Sequence, residues 1–409
     1  MRLAACVVPL CSAALVVAAE IHPSQTSGLT VHEWGTFTSV AGEDGRAVTW
    51  DALGCKSDLP NFVHDFGYRG LKLGLQGSVR METPVLYFYS SRQMDAQVKV
   101  SFPKGLLTEW YPQAEYEAHQ LAPADGRSLQ LTPNNVAGCA KCHMSLNGID
   151  TSLQNLTGTL EWNRVHINPG TQPAFPTEEA PNRYYAARGT GAAPLTVGDQ
   201  HEKFLFYRGV GTFSISLSAR VLESGKITVA NLGGEPVPSV ILFENRGGHI
   251  GYRMAGTLQK EGTLDAPRLD ASFARLRQDL EAALVSQGLF PKEAHAMLET
   301  WRDSWFEEGS RLIYLVPRTT VDIILPLHIE PAPSEIARVF IGRIELLTPE
   351  TKRTVEAAVR TGDWQVAARY QRFLTPILGR IFAADPARRN ELAPRAAALL
   401  AAHKGEVCK

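Results

Sequence analysis

The residues best able to do chemistry crowd into one stretch, NNVAGCAKCHMSLNGID, residues 134–150. Cys139 and Cys142 stand two residues apart, and His143 follows directly. Covalent haem attachment needs two thiols, one for each vinyl group of the porphyrin. It also needs an imidazole placed to reach the iron from the same side. C-x-x-C-H supplies all three in one short run and reads as a c-type haem site. Cys139 and Cys142 would form the thioethers, and His143 would be the proximal iron ligand. Three other readings stay open: a Cys139–Cys142 disulfide or redox pair, half of a zinc site, and coincidence. A thioredoxin-like pair calls for a βαβ setting, which the flanking sequence lacks. A zinc site calls for further ligands, and Cys55 and Cys408 are isolated.

Spacing does not fix a ligand on the far side of the iron. His166, in the next alternating segment, is the first candidate, with His119, Met81, Met94 and Met254 more distant options. Met144 adjoins His143 and points the wrong way. With a sixth ligand the iron suits electron transfer to a redox partner protein. Without one, peroxide or small-gas chemistry opens.

The elements that must carry this site come in two kinds. From about Leu29 to Ile250 the periodic segments are short, aromatic and β-branched: TVHEWGTFTSV, PVLYFYS, VKVSFP, GTLEWNRVHI, KFLFYRGVGTFSISLSARV, KITVAN and SVILFEN. Short alternating runs separated by Gly, Pro and Asn predict antiparallel, sandwich-like sheets. PVLYFYS and KFLFY are apolar on both sides and belong in doubly covered central strands. After about Asp265 the pattern turns helical. Phe273, Leu276, Leu280, Ala283 and Leu284 share one face, and Met297, Trp301 and Trp305 recur every fourth residue as a stripe that reads as core. Asp303, Glu307 and Glu308 fall off that stripe and read as a solvated face. RLIYLVPRTTVDIILPLHI returns to strand, and the sequence from Pro333 onward, SEIARVFIGRIELL included, reads as helical. The expected fold class is therefore mainly β with a helical C-terminal part, α+β overall. The expected organisation is a signal peptide over 1–19, a β-rich body over 20–262 with the CxxCH loop inserted at 132–157, and a mixed, mostly helical part over 263–409.

MRLAACVVPLCSAALVVAAEIHP has one arginine before an apolar run of about 16 residues, shorter than the ~20 of a membrane span, and small residues precede Glu20. It reads as a secretory signal peptide and predicts a periplasmic or secreted protein without a transmembrane segment after cleavage. Cys6 and Cys11 leave with it. In an oxidising compartment the remaining thiols call for partners. Forty-one basic against 42 acidic residues give a net charge of −1. No basic run interleaves with aromatics, which argues against a nucleic-acid partner.

A different chemistry would draw on Glu33, Glu82 and Glu109 with Arg188 and Arg208. Paired carboxylates in one polar cleft suit glycoside hydrolysis; the plainer expectation is strand-end acids neutralised by arginine. His32–Glu33 lacks the H-E-x-x-H spacing of a metalloprotease. The functional alternatives are thus a non-redox exported binding or scaffold protein with a CxxC disulfide, and a carboxylate-dependent hydrolase.

The phrases VHEWGTFTSV, VRMETPVLYFYS, LTEWYPQA, YYAAR, FLFYRGVGTF and TWRDSWFEEGSRLIYLVP together resemble a group of large exported bacterial proteins without an assigned activity. The resemblance spans most of the chain and implies export but no catalytic residue. Separately, CAKCHMSLNG is similar to the haem-binding segments of c-type cytochromes, over those residues only.

Overall fold

The computed structural model describes residues 28–50, 52, 59–65, 77–120, 129–131 and 153–403. A large mixed sheet organises them. In spatial order its main path runs Gln200–Glu202, Leu195–Val197, Leu156–Ile167, Gly105–Tyr111, Leu205–Gly211, Val79–Tyr89, Thr30–Val40, Glu335–Leu346, Gly309–Leu315, Val237–Arg246 and His249–Leu258. A second sheet of three strands joins Leu217–Val221, Ile227–Asn231 and Glu261–Leu264. Helices gather toward the C-terminus, so the chain is mainly β and α+β overall.

The alternation read in TVHEWGTFTSV sorts its side chains to the two faces of the large sheet, as a period of two requires. Val31 and Phe37 join one core with Phe88, Tyr207, Leu312, Tyr314, Phe340 and Ile344. Trp34 joins another with Tyr87, Phe206, Ile241, Phe243, Ile313 and Ile341. Helix Phe273–Ser286 lays Leu276, Leu280 and Leu284 on this second core, and helix Pro291–Trp301 adds Met297 and Trp301. Trp305 is fully buried beside them, its ring parallel to that of Trp301. Each such side chain contributes on the order of 1.5–3 kcal/mol by leaving water. The Met297–Trp301–Trp305 stripe is core.

Three segments depart from the expectation. Glu335–Leu346 is a strand, and a central one, pairing parallel with Thr30–Val40 and antiparallel with Gly309–Leu315. Both of its faces are covered, so the polar–apolar alternation that marks a strand is missing and the apolar run mimics a helix. Within RTTVDII the backbone is helical over Arg318–Ile324, between the strands Gly309–Leu315 and Leu327–Glu330. Glu307 is buried rather than solvated, because helix Pro291–Trp301 ends before it and the chain turns its carboxylate inward onto Arg343.

Candidate functional site

Cys139, Cys142, His143, Met144, Cys55, Cys408 and the 1–19 leader lie outside the described residues, as does the side chain of His119. The attachments of the CxxCH segment are described. Strand Leu129–Leu131 before it and strand Leu156–Ile167 after it both pair with Glu115–Gln120, Leu131 and Gly158 lying on either side of Ala118. Two interstrand spacings hold those ends about 10 Å apart, so the segment leaves and re-enters one sheet. Leu153, at re-entry, is buried. His166 is ten positions beyond Leu156 on its strand, half-buried, with Nδ1 paired to Asp95 on the neighbouring strand. Met81 is buried in the core, and Met254 is 43 % exposed.

The acids noted in sequence fall on opposite faces of the sheet. Arg338 and Arg343 are an odd number of residues apart on an unbroken strand, so they point to opposite sides. Glu33 belongs with Arg338: its carboxylate accepts from Arg338 Nε and from the hydroxyl of Tyr207, and Arg338 reaches Asp322 at 2.7 Å. Glu82 belongs with Arg343. It accepts from Arg372 and from Thr38 Oγ1 at 3.1 Å, with Arg80 Nε at 3.4 Å. Arg188 is in neither group, clasping Glu202 through Nη2 at 2.7 Å and Nε at 2.9 Å.

On Glu82's face a row of buried charges crosses six strands. Glu109 opposes Arg208; Glu82 opposes Thr36; Thr38 opposes both Arg80 and Arg343; Arg311 opposes Glu345 and bonds it at 2.9 Å. Glu307 bonds Arg343 Nη2 at 2.9 Å, and Phe373 lies 4.8 Å beneath the Arg343 guanidinium. Burial pushes the Glu82 carboxyl up, but Arg372, Arg80, Arg343 and Arg208 outweigh it and hold the group below its usual range. Burial, with Arg311 close by, lowers Arg343 to about 10 despite Glu307. Burial raises Glu345 even with Arg311 and Arg343 beside it. Acids paired with arginines in a covered sheet give the interior a fixed polar registry, and among the described residues the sheet itself separates Glu33 from Glu82 and Glu109.

His32 makes a different arrangement. Its imidazole is fully buried on the helix-covered face, and Nδ1 lies 2.8 Å from Glu293 Oε2. Glu293 is the third residue of helix Pro291–Trp301, and Oε2 also accepts the Phe290 N–H at 2.7 Å, satisfying an amide left free at the helix start. Its other oxygen accepts the Tyr89 hydroxyl at 2.7 Å. Burial and the neighbouring Glu293 raise Tyr89 far above the phenol range, so it stays a donor. With an amide and a phenol already donating, the carboxylate is the acceptor for His32 Nδ1–H. His32 Nε2 is buried and has no protein partner among the described residues. The ring lies 4.4 Å from that of Phe290 and 5.5 Å from that of Tyr89, and Phe290 is 43 % exposed. Tyr89 also borders a cleft of about 690 Å³ between the 169–175 and 191–194 loops, together with Ser90, Ser91, Phe175 and Lys203. Burial and nearby Lys292 lower the Lys203 ammonium, whose Nζ donates to Thr190 O at 2.8 Å.

Sequence reasoning singled out His32 only for its neighbour Glu33. Its partner is 261 residues away, and nothing local announces it. Arg311, Arg338 and Arg343 did leave a signal: charges inside apolar strands such as RVFIGRIEL must be paired when the strand is covered.

No family model matches this chain, and no curated protein matches it. Among solved structures, the yeast delta-COP-I mu-homology domain aligns over 80% of this chain and 98% of that one, at 10% identity with a TM-score of 0.24. The same domain complexed with a Dsl1 WxWxV peptide aligns over 79% and 97%, at 9% identity and 0.23. At such scores the likeness carries no argument.

Proposed function

We propose that this chain is an exported redox protein carrying one covalent haem c, held by Cys139 and Cys142 with His143 on the iron. The observation that carries the reading is the C-x-x-C-H spacing behind an export signal. One-electron chemistry is what the haem supplies when bound, and exchange with a partner redox protein is the role that follows.

The surroundings of the segment fit such a group. Leu153 anchors its return, and Gln154 and Asn155 border a cleft of about 520 Å³. That size falls within the roughly 300–1,000 Å³ range of cofactor sites. Phe213, Ile215, Leu217 and Leu232 give the cleft apolar surface suited to a porphyrin face, and Arg46 and Lys104 give it cations suited to propionates. His143 lies ten residues before Leu153, well within tether length of this cleft.

Haem staining of a denaturing gel tests the proposal. Protein made in cells competent for haem maturation should keep a peroxidase-active band that C139A/C142A lacks, and its intact mass should exceed the processed chain by one haem. A colourless band whose two thiols reappear on reduction would replace the haem with a disulfide and leave a non-redox exported protein.

A further inference from the structure

Lys203 stands in the short link between strands Gln200–Glu202 and Leu205–Gly211, and it lines the cleft of about 690 Å³. Its neighbours Glu202 and Phe204 are fully buried, and its own amide donates to Glu202 Oε1 at 2.8 Å, so the backbone presenting this amine is fixed. Nζ donates to Thr190 O at 2.8 Å, which tethers the tip beside the 191–194 wall. A carbonyl oxygen supplies no counter-charge. Among the described residues no carboxylate forms an ion pair with Nζ, and Glu202 is clasped by Arg188 through Nε and Nη2. Burial and the like charge of Lys292 work against the ammonium, with Glu202 opposing them. A lysine short of solvent and beside a second cation is the form in which an amine becomes a nucleophile. The rest of the lining is uncharged: hydroxyl and amide residues such as Ser91, Thr171 and Gln172 alternate with Pro173, Phe175 and Ala192. Such walls offer no second cation to hold an anion and no acid to hold a base, so they suit a small uncharged ligand.

We propose that Lys203 is the nucleophile of this cleft and captures a small uncharged aldehyde as an imine. The lone pair of Nζ attacks the carbonyl carbon, forming a C–N bond as the π pair of C=O moves to oxygen. Both amine hydrogens pass to that oxygen as protons, and it leaves as water when C=N forms. The hydrogen bond from Nζ to Thr190 O is given up in the same step. Tyr89, which also borders the cleft, keeps its proton on Glu293 and does not compete. The capture uses no residue of the C-x-x-C-H segment and stands apart from the haem reading.

Cyanoborohydride reduces an imine to a stable secondary amine, so incubation with glycolaldehyde at neutral pH followed by peptide mass mapping reads capture at each lysine. Lys226, half-exposed and paired with Asp265, serves as the internal reference. Lys203 should be modified about tenfold faster than Lys226, equivalent to ~1.4 kcal/mol, and its rate should saturate with aldehyde concentration while that of Lys226 stays linear. K203R, which keeps the charge but forms no imine, should lose that adduct alone. At Gly191, on the cleft wall, a Cβ would meet nothing within 4 Å. G191F should therefore narrow the cleft, slowing Lys203 and leaving Lys226 unchanged. Thermal melts of each variant confirm that the fold persists. In the folded native chain, a Lys203 modified no faster than Lys226, or without saturation, would overturn the proposal. An unchanged Lys203 rate in folded G191F would place the reaction outside the cleft and overturn it equally. Protection of Lys203 by acetate would mark an anion site instead and overturn the assignment of the ligand.

Discussion

Glu82→Gln is the most exacting perturbation of the buried charge row. The amide keeps the shape of the side chain and can still accept from Thr38, so packing is preserved while one negative charge is lost. Four arginines are left behind: Arg372, Arg80, Arg343 and Arg208 all act on this carboxylate. Breaking one partner out of a buried ion pair costs about 3–5 kcal/mol, because the survivor's charge remains desolvated. At ~2 °C per kcal/mol for a chain of this size, the melting temperature should fall by about 6–10 °C. Removing Arg372 as well should return part of that loss, since R372M lowers the excess of positive charge that E82Q creates at this site. The cycle should give a coupling of about 1.5–3 kcal/mol. The pH dependence has a definite sign. The folded pKa of Glu82 is depressed, so its stabilisation is complete above the unfolded value near 4.5 and drains away as pH falls through the folded value. The gap between native and E82Q melts should therefore be widest near neutrality and narrow below pH 4.5. Circular-dichroism melts across that range decide the matter. A cost under about 1 kcal/mol, the size of an exposed pair, or a cycle with no coupling would refute the claim that these charges sustain one another.

Two further predictions follow from the sheet. Replacing residues 132–152 with a short Gly-Ser linker should change the melting temperature little, because the strands at both ends are already paired to the same strand of one sheet and loop closure costs rise slowly with length; loss of cooperative melting would contradict that. Gly342→Ala should destabilise by about 1–3 kcal/mol, since a Cβ there would sit 2.0 Å from Cζ of Tyr314 on the paired strand. Denaturant titration should show partial rescue by Tyr314→Leu, and a G342A protein of native stability would rule out the close approach.

Local pattern and tertiary arrangement contributed differently. The alternation of TVHEWGTFTSV, the short β-branched runs and the helical stripe of Met297, Trp301 and Trp305 were legible because each records which side of its own element is dry. Glu335–Leu346 was not legible, since a strand covered on both sides loses its alternation and keeps only its apolarity. Glu307 was misread for a related reason: helical spacing says nothing once the helix has ended.

The linear order of residues by itself determined the α+β class, the strand faces and the spacing that joins Cys139, Cys142 and His143, for all of these depend on neighbours a few positions apart. Only the folded sheet decided that Glu33 and Glu82 turn to opposite sides, that Arg311, Arg343 and Arg372 surround buried acids, and that His32 meets Glu293. Strand order and register make those meetings, and they are chosen by the summed burial of many distant segments, so no single stretch of sequence records them.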